Sequence, residues 1–173
     1  GAPGRLSDSL IDPAQAAGKP HDFSGCTYSV CQLRPESRGH LRITSKDSRD
    51  APKMLFNYLA TENDQRTMVE AVKFARKVAS SKPIAHLMKR EYRPGQDIKT
   101  DDEILAFCKQ FGTTIFQPSC TAKMGRKDDP MAVVDERLRV HGIQGLRVVD
   151  CSVMPTLVSG NTNVPVVMIG EKA

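Results

Sequence analysis

The sequence predicts an α+β fold, an antiparallel sheet with two main helices. Two sets of observations predict it. Apolar side chains recur every three or four residues over 62–80, and a helix-capping pattern precedes a second apolar segment that ends near 111. Residues typical of strands occupy 22–32 and 40–45. With 173 residues, the chain is long enough for one domain that buries roughly 70% of its unfolded surface.

The first part of the chain predicts an arm followed by a hairpin. Residues 1–21 are rich in Pro and Gly with little periodicity, so we expect a loop or an extended arm there. The segment 22–32 contains the β-favouring residues Phe, Thr, Tyr and Val, and Arg34-Pro35 ends it. Ser37-Arg38-Gly39 predicts a turn. Residues 40–45 then alternate polar and apolar side chains, which indicates a strand with one solvated face.

The first main helix is predicted from Glu62 to Ser80. Thr61 is a natural N-cap, and Glu62 and Asp64 place negative charge at the positive end of the helix dipole. Lysine and arginine on the other face or near the C-terminal end indicate a solvated surface and not a binding patch. The apolar stripe consists of Met68, Ala71, Val72, Ala75, Val78 and Ala79.

The second main helix is predicted to begin after Thr100 and to end near Phe111. Thr100-Asp101-Asp102-Glu103 has the pattern of a capping box, in which threonine and glutamate each satisfy a backbone N–H. The paired acids could be catalytic carboxylates, but a helix cap is the favoured interpretation.

Between the helices, Pro83 either ends the first helix or starts a short one. Residues 113–116 have strand propensity and lead into Gln117.

The last part of the chain predicts a strand, an irregular loop and the start of a helix. Residues 146–150 cluster β-branched side chains after a glycine, and Pro, Gly and Asn interrupt regular structure from 154 to 165. Pro165 can occupy a first helical position, so 166–173 would open a buried helix. Backbone N–H groups at such a helix start can face a ligand. The alternative is an ordinary strand-to-helix connection.

Composition excludes several classes of function. The net charge is +5, but Lys and Arg are scattered among acidic residues, so nucleic acid is not an expected partner. No apolar run reaches the ~18–20 residues of a transmembrane helix. The N-terminus lacks the apolar core of a secretory signal, and we expect a cytoplasmic or membrane-peripheral location. Five cysteines without a C-x-x-C pair argue against a disulfide framework and against a metal site.

Several separated segments resemble one family in the same order. Residues 117–125 read QPSCTAKMG, 132–135 read AVVD, and 146–173 read LRVVDCSVMPTLVSGNTNVPVVMIGEKA. Residues 34–39 and 57–59 add RPESRG and NYL. Together they resemble the glucose-methanol-choline (GMC) oxidoreductase family, and the choline-dehydrogenase-like branch is the nearest match. The main departure is a Gln where the family has the His of a His-Pro pair.

The resemblance implies an FAD-dependent enzyme that oxidises a small-molecule alcohol by hydride transfer to flavin. It assigns 22–144 to the substrate-side domain and 145–173 to a strand-loop-helix segment that belongs to the FAD-binding domain. The Gly-x-Gly-x-x-Gly of the N-terminal FAD-binding portion has no match in the sequence. We therefore expect a C-terminal fragment that is inactive alone and lacks that portion as its partner. A non-catalytic binding or interaction module derived from the same fold is the alternative.

The resemblance places Gln117 and Asn163 on either side of the substrate oxygen. An amide does not titrate near neutrality, so Gln117 cannot accept a proton as His does. Loss of a positioned general base typically costs about 10²–10⁴-fold in rate. Asn163 can donate to a substrate alkoxide, cap the following helix, or do both. His40, His86 and His141 are interpreted as surface or hydrogen-bonded histidines away from the flavin.

The resemblance also implies a set of cofactor contacts at the end of the chain. N–H groups around Val164 and Val166 are expected to face the flavin. Asp150 lies either near the ribityl chain or in a loop that it organises itself. Cys120 and Cys151 are interpreted as small buried residues and not as nucleophiles. The full set of predicted cofactor-binding residues is Asp150, Cys151, Asn163, Val164, Pro165 and Val166.

Overall fold

The computed structural model describes residues 23–173, and the arm predicted for 1–21 lies outside this range. Contacts divide the described chain into two compact units. The first comprises 23–32, 36–38 and 57–113, and the second comprises 33–35, 39–56 and 114–173. The elements are β1 (His40–Arg42), β2 (Lys53–Leu55), α1 (Glu62–Ala79), α2 (Lys82–Ala85), α3 (Asp101–Phe111), a 3-10 turn (Cys151–Val153) and α4 (Asn163–Lys172).

The sheet is a small antiparallel pair, β1 with β2, in which Leu41 lies opposite Met54. The strand predicted at 40–45 is therefore present in shortened form, and its partner is Lys53–Leu55, which sequence reasoning did not identify. Gly39 lies where the chain enters β1. A Cβ atom there would overlap the carbonyl oxygen of Leu55, so the close approach of the two backbones requires glycine.

Three other predicted strands are wrong. Residues 23–32 and 113–116 are irregular, and 146–150 contributes only an isolated bridge between Arg147 and Arg139. β-Propensity records how well a side chain packs on a pleated, half-buried surface, so it predicts a strand only where a partner strand is available. Within the described chain, β1 pairs with β2, which leaves these segments outside the sheet.

Both main helices are confirmed, with the caps that were predicted for them. The Thr61 side chain accepts from the backbone N–H of Asp64 at the start of α1. At α3, Thr100 accepts from Glu103 N–H while the Glu103 carboxylate accepts from Thr100 N–H at 2.8 Å, which is a complete capping box. The acidic residues after Thr100 are therefore explained by the helix cap, without a catalytic role for them. Pro83 lies inside the short helix α2.

The core of the first unit lies between α1 and α3. Val69 of α1 packs against Ile104 and Cys108 of α3, and all three are buried. Lys73 of α1 joins the same pair of helices at the surface through an ion pair of 2.8 Å with Asp101. Met68 and Val72 of the predicted apolar stripe are partly buried beside this core, but its central α1 residue, Val69, was not among the residues predicted.

The core of the second unit is built from loops and one helix. Val134, Leu138 and Val153 are buried together, and Ile169 of α4 packs against them. Isolated backbone hydrogen bonds between loops take the place of a regular sheet here. One example runs from Val148 N–H to the carbonyl oxygen of Leu138 at 3.1 Å. This core fixes α4 against the segments that carry the candidate site.

Candidate substrate and cofactor site

The structure brings the family-like segments of the second unit together. Cys120, Ala122 and Met124 donate backbone N–H groups to the carbonyl oxygens of Cys151, Ser152 and Val153 at 3.2, 2.9 and 2.9 Å. Gly125 N–H donates to Val134 O at 3.0 Å, which adds the AVVD segment. Segments 117–125, 132–135 and 146–154 are therefore neighbours in space as well as parts of one sequence pattern.

Gln117 is hydrogen-bonded to the turn that leads into α4. Its Oε1 accepts from the backbone N–H of Thr162 at 2.7 Å, and its Nε2 donates to Asn161 Oδ1 at 2.7 Å. A backbone N–H can only donate, so the oxygen of Gln117 must face Thr162. The same orientation requires Asn161 to present its oxygen to Gln117. Both ends of the Gln117 amide thus hold the residues immediately before Asn163.

The backbone around Gln117 is held in an uncommon conformation. Phe116, directly before Gln117, has a φ of 60°, and Cys120, three residues after it, has a φ of 71°. Neither is glycine, and positive φ is costly for residues with a Cβ. The Phe116 ring is also 83% exposed. This short segment therefore combines an exposed aromatic ring with backbone strain of the kind that clusters at functional sites.

Helix α4 begins two residues earlier than predicted, at Asn163, so Pro165 is its third residue and not its first. Val166 N–H already donates to Thr162 O at 3.0 Å, and Pro165 has no N–H. The donor that sequence reasoning placed at Val166 is therefore used inside the helix. The remaining first-turn N–H groups belong to Asn163 and Val164, and both residues are exposed.

Arg34 reaches the loop before α4 from a distant part of the sequence. Its Nε donates to Ser159 Oγ at 2.6 Å, and its Nη1 donates to Leu157 O at 3.3 Å. Sequence reasoning noticed Arg34 only at the end of a predicted strand and as the first residue of RPESRG. The signal for its role is weak, because no local pattern shows which carbonyl a surface arginine will reach.

Asp150 and Cys151 lie at the 3-10 turn. Asp150 Oδ1 accepts from Ser152 N–H at 2.7 Å, so this carboxylate organises its own loop, which is one of the two predicted alternatives. Cys120 and Cys151 were expected to be buried, but both are only half-buried. Cys151 is joined to the 120–124 segment by a backbone hydrogen bond from Cys120, and Asp150 directly precedes it in the chain.

The histidines do not replace the absent family histidine. His141 Nε2 lies 3.1 Å from Gly125 O, and because a carbonyl oxygen accepts, this nitrogen donates. His40 is exposed in β1, and His86 follows α2 in the first unit. Among the described residues, none of these rings is hydrogen-bonded to Gln117 or Asn163. The interpretation of the histidines as surface or hydrogen-bonded groups agrees with these positions.

Asp64 is a structural residue that sequence reasoning underrated. Its side chain is 1% exposed and accepts from Gln32 Nε2 at 2.7 Å, Glu36 N–H at 2.9 Å and Ser37 N–H at 2.7 Å. Burial alone would raise the pKa of Asp64, but hydrogen bonds from Glu36, Ser37 and Gln32 outweigh it and lower the pKa to about 2. Within the RPESRG segment, Glu36 and Ser37 are therefore held in place by their hydrogen bonds to this carboxylate.

A family model described as GMC oxidoreductase matches residues 35–170. The chain belongs to the GMC oxidoreductase family. Oxygen-dependent choline dehydrogenase of Stenotrophomonas maltophilia (strain K279a) is 44% identical over 154 residues, covering 89% of this chain and 27% of that protein. The protein of the same name from Staphylococcus aureus (strain JH9) is 48% identical over 150 residues, covering 86% and 26%.

Solved structures of several oxidases have a similar fold. Pyridoxine 4-oxidase from Mesorbium loti gives a TM-score of 0.75 at 32% identity, over 80% of this chain and 27% of that chain. A formate oxidase from Aspergillus oryzae RIB40 gives 0.75 at 30% identity, over 81% and 24%. The chain thus spans about a quarter of the length of the relatives it matches.

Two further features bear on function. Over residues 23–173, no helix combines the length and the apolar character needed to cross a membrane. The same range contains no group of three or more His, Cys, Asp or Glu side chains arranged to hold a metal ion.

Proposed function

We propose that this GMC family member forms the substrate-side part and the C-terminal segment of an FAD-dependent enzyme that oxidises the CH–OH group of a small alcohol. Sequence outside these 173 residues supplies the FAD-binding part. One observation carries the proposal: Gln117 is hydrogen-bonded to Asn161 and Thr162, directly before Asn163. The two residues that the family pattern places beside the substrate oxygen thus belong to one hydrogen-bonded corner.

The start of α4 has donors that suit a flavin. The N–H groups of Asn163 and Val164 lie in the first turn, where no helical carbonyl precedes them to accept a hydrogen bond. Such donors at a helix N-terminus favour an electron-rich acceptor. Val164 is 75% exposed and provides an apolar surface beside them. In this proposal Asp150, Cys151 and Asn163–Val166 line the FAD side, and FAD, when bound, would accept the hydride.

The residues of the chain have distinct tasks in this proposal. Asn163 donates a hydrogen bond to the alcohol oxygen, where negative charge develops as the proton leaves. Gln117 holds the turn before Asn163 and does not take the proton, since its amide is non-titrating and both of its ends are engaged. The base is therefore another group, supplied by the FAD-binding part or by solvent. Residues 145–173 would complete the FAD-binding domain, and 22–144 the substrate side.

The names of the relatives suggest the first alcohols to test. The choline dehydrogenases are 42–48% identical to this chain, whereas the solved oxidases are 29–32% identical. Choline is therefore the first substrate to assay, and pyridoxine and an aryl alcohol follow because solved relatives are named for them.

The experiment uses the full-length polypeptide that contains this chain. We expect it to purify with the visible absorbance of FAD and to lose that absorbance when an alcohol from the panel is added without oxygen. The isolated 173-residue chain should show neither property. If the full-length protein binds FAD but no alcohol of any class reduces the bound flavin, the proposed reaction is wrong.

The second candidate is a non-catalytic binding or interaction module. Gln117 favours it, because the usual titrating group is absent and the amide is used for structure. The same full-length preparation separates the candidates. A module would carry no stoichiometric FAD, whereas the enzyme would carry it even when its true alcohol is missing from the panel.

A further inference from the structure

Two cysteines lie next to each other in the second unit. Cys120 N–H donates to the carbonyl oxygen of Cys151 at 3.2 Å. Covalent bond lengths then keep the two Cα atoms within about 7 Å of each other. Disulfides join Cα atoms about 4.4–6.8 Å apart. The backbone hydrogen bond therefore brings the two residues close to the range of separations that a disulfide bridges.

The surroundings of the five thiols distinguish this pair from the others. Cys108 lies in the core of the first unit, where burial raises the pKa of its thiol and protects it. Cys26 and Cys31 are exposed. Cys120 and Cys151 are half-buried, so they are accessible to a small oxidant yet held by their backbones, and Ser119 Oγ contacts Cys120 Sγ at 3.1 Å.

We propose that Cys120 and Cys151 form a reversible disulfide, a redox-modification site that joins segments 117–125 and 146–154. The oxidant is a hydroperoxide such as hydrogen peroxide. One thiol takes up oxygen to become a sulfenic acid while the peroxide leaves as water, and the second thiol then displaces a second water as the S–S bond forms. Two thiols are thus oxidised and one peroxide is reduced. A dithiol reverses the reaction by thiol–disulfide exchange.

The bond would act close to the candidate site. Cys120 follows Gln117 by three residues, and Cys151 follows Asp150 directly. Oxidation would therefore tie the strained Gln117 segment to the loop of Asp150, and reduction would leave the three backbone hydrogen bonds as the connection between them. The inference does not depend on the proposed reaction, because it rests on the two thiols alone.

Mass spectrometry tests the proposal on the chain as it stands. After hydrogen peroxide treatment and capping of remaining thiols, trypsin should release peptide 110–123, with Cys120, joined to peptide 148–172, with Cys151. Cys108 lies in a different peptide, 100–109, so the assignment is unambiguous. We expect the joined peptides to disappear after a dithiol reductant, and the oxidised chain to unfold at a higher temperature than the reduced one.

Single substitutions provide the controls. Cys120→Ser and Cys151→Ser should each abolish the joined peptides, whereas Cys26→Ser should leave their yield unchanged. Native wild-type protein is also compared with wild-type protein in urea, which removes any dependence on the folding of the variants. The proposal is overturned if the native chain gives no joined peptide at a peroxide dose that oxidises Cys26, or if the linkage forms only in urea.

Discussion

At the scale of single residues, Asp64 shows how a buried charge can organise a sequence motif. The carboxylate is removed from water, yet three donors from 32–37 satisfy it, and the Ser37 hydroxyl in turn accepts from Ala60 N–H at 2.9 Å. Because hydrogen bonds to the charged form exceed the cost of burial, the pKa falls from 3.8 to about 2. That difference corresponds to about 2–3 kcal/mol of stability for the first unit.

The pH dependence follows from the direction of this shift. A carboxylate whose folded pKa is depressed contributes stability above its unfolded pKa, and loses it as the pH falls through the folded value. We expect Asp64→Asn to lower the free energy of unfolding by about 2–3 kcal/mol at pH 7, and the difference from wild type to shrink between about pH 4 and pH 2. Urea denaturation across this pH range measures it.

Asp102→Asn is the matched control for Asp64. Asp102 lies exposed in the first turn of α3, so its substitution should change stability by less than about 0.5 kcal/mol. Equal losses for the two variants, or a loss for Asp64→Asn that is independent of pH, would contradict the role assigned to the buried carboxylate.

Gln117 provides the second test at this scale, in the full-length enzyme proposed above. Gln117→His introduces a titrating group beside the start of α4, so we expect kcat/KM to rise 10-fold or more, about 1.4 kcal/mol, and the pH–rate profile to gain a base limb. Asn163→Ala should instead lower the rate at every pH, because it removes a non-titrating donor. Steady-state kinetics from pH 5 to 9 on the best alcohol distinguishes the two effects.

An unchanged rate and pH profile for Gln117→His on every alcohol that the parent oxidises would show that position 117 does not face the reacting oxygen. Retained flavin absorbance in the variant is the control, since it shows that the site has folded.

At the scale of elements, the turn before α4 is held from two sides. Arg34 binds Ser159 and Leu157, while Gln117 binds Asn161 and Thr162. Thr162 is the N-cap residue of α4, but its side chain makes no capping hydrogen bond. The position of this helix start therefore depends on contacts from outside the helix, since a local cap of the kind seen at α1 and α3 is missing.

Amide hydrogen exchange at Thr162 tests this arrangement. Gln117→Leu removes the acceptor of the Thr162 N–H, so we expect its exchange to accelerate at least 10-fold, while the amides of α1 stay protected. Gln117→Glu keeps a carboxylate oxygen that can accept, and it should retain most of the protection. Gln144→Leu, at an exposed turn of the same unit, is the control for a general loss of stability. Equal exchange rates in the Leu and Glu variants would contradict the assigned hydrogen bond.

At the scale of the whole molecule, local rules predicted the helices and long-range contacts decided the rest. The helix caps at Thr61 and Thr100 depend on residues no more than four positions apart in the sequence, and both caps are present. The strand expected at 23–32 needed a partner that the described chain does not provide. Likewise, Gln117 and Asn163 were singled out by resemblance, but the partners of Gln117 and Arg34 lie 44 to 125 residues away, beyond any local pattern.

The two cores are small for a chain of this length. Among residues 23–173, seven apolar side chains are buried while twenty-two large apolar or aromatic ones are exposed. Several of the exposed residues lie on α4, including Val164, Val167 and Met168, although Ile169 of the same helix is packed. The exposed apolar residues on α4 provide a surface that a partner can cover. In the proposed enzyme, the FAD-binding part covers it.

The isolated chain should therefore show the surface that the full-length protein hides. We expect the 173-residue chain to bind the apolar dye ANS with fluorescence several-fold above that of the full-length polypeptide at equal molar concentration, and to unfold less cooperatively on heating. Val164→Ser with Val167→Ser should lower the dye signal of the isolated chain and, in the full-length protein, weaken flavin retention. The proposal that the FAD-binding part covers α4 fails if the isolated chain is monomeric, binds no more dye than the full-length protein and melts in one sharp transition, because its exposed apolar residues would then need no partner.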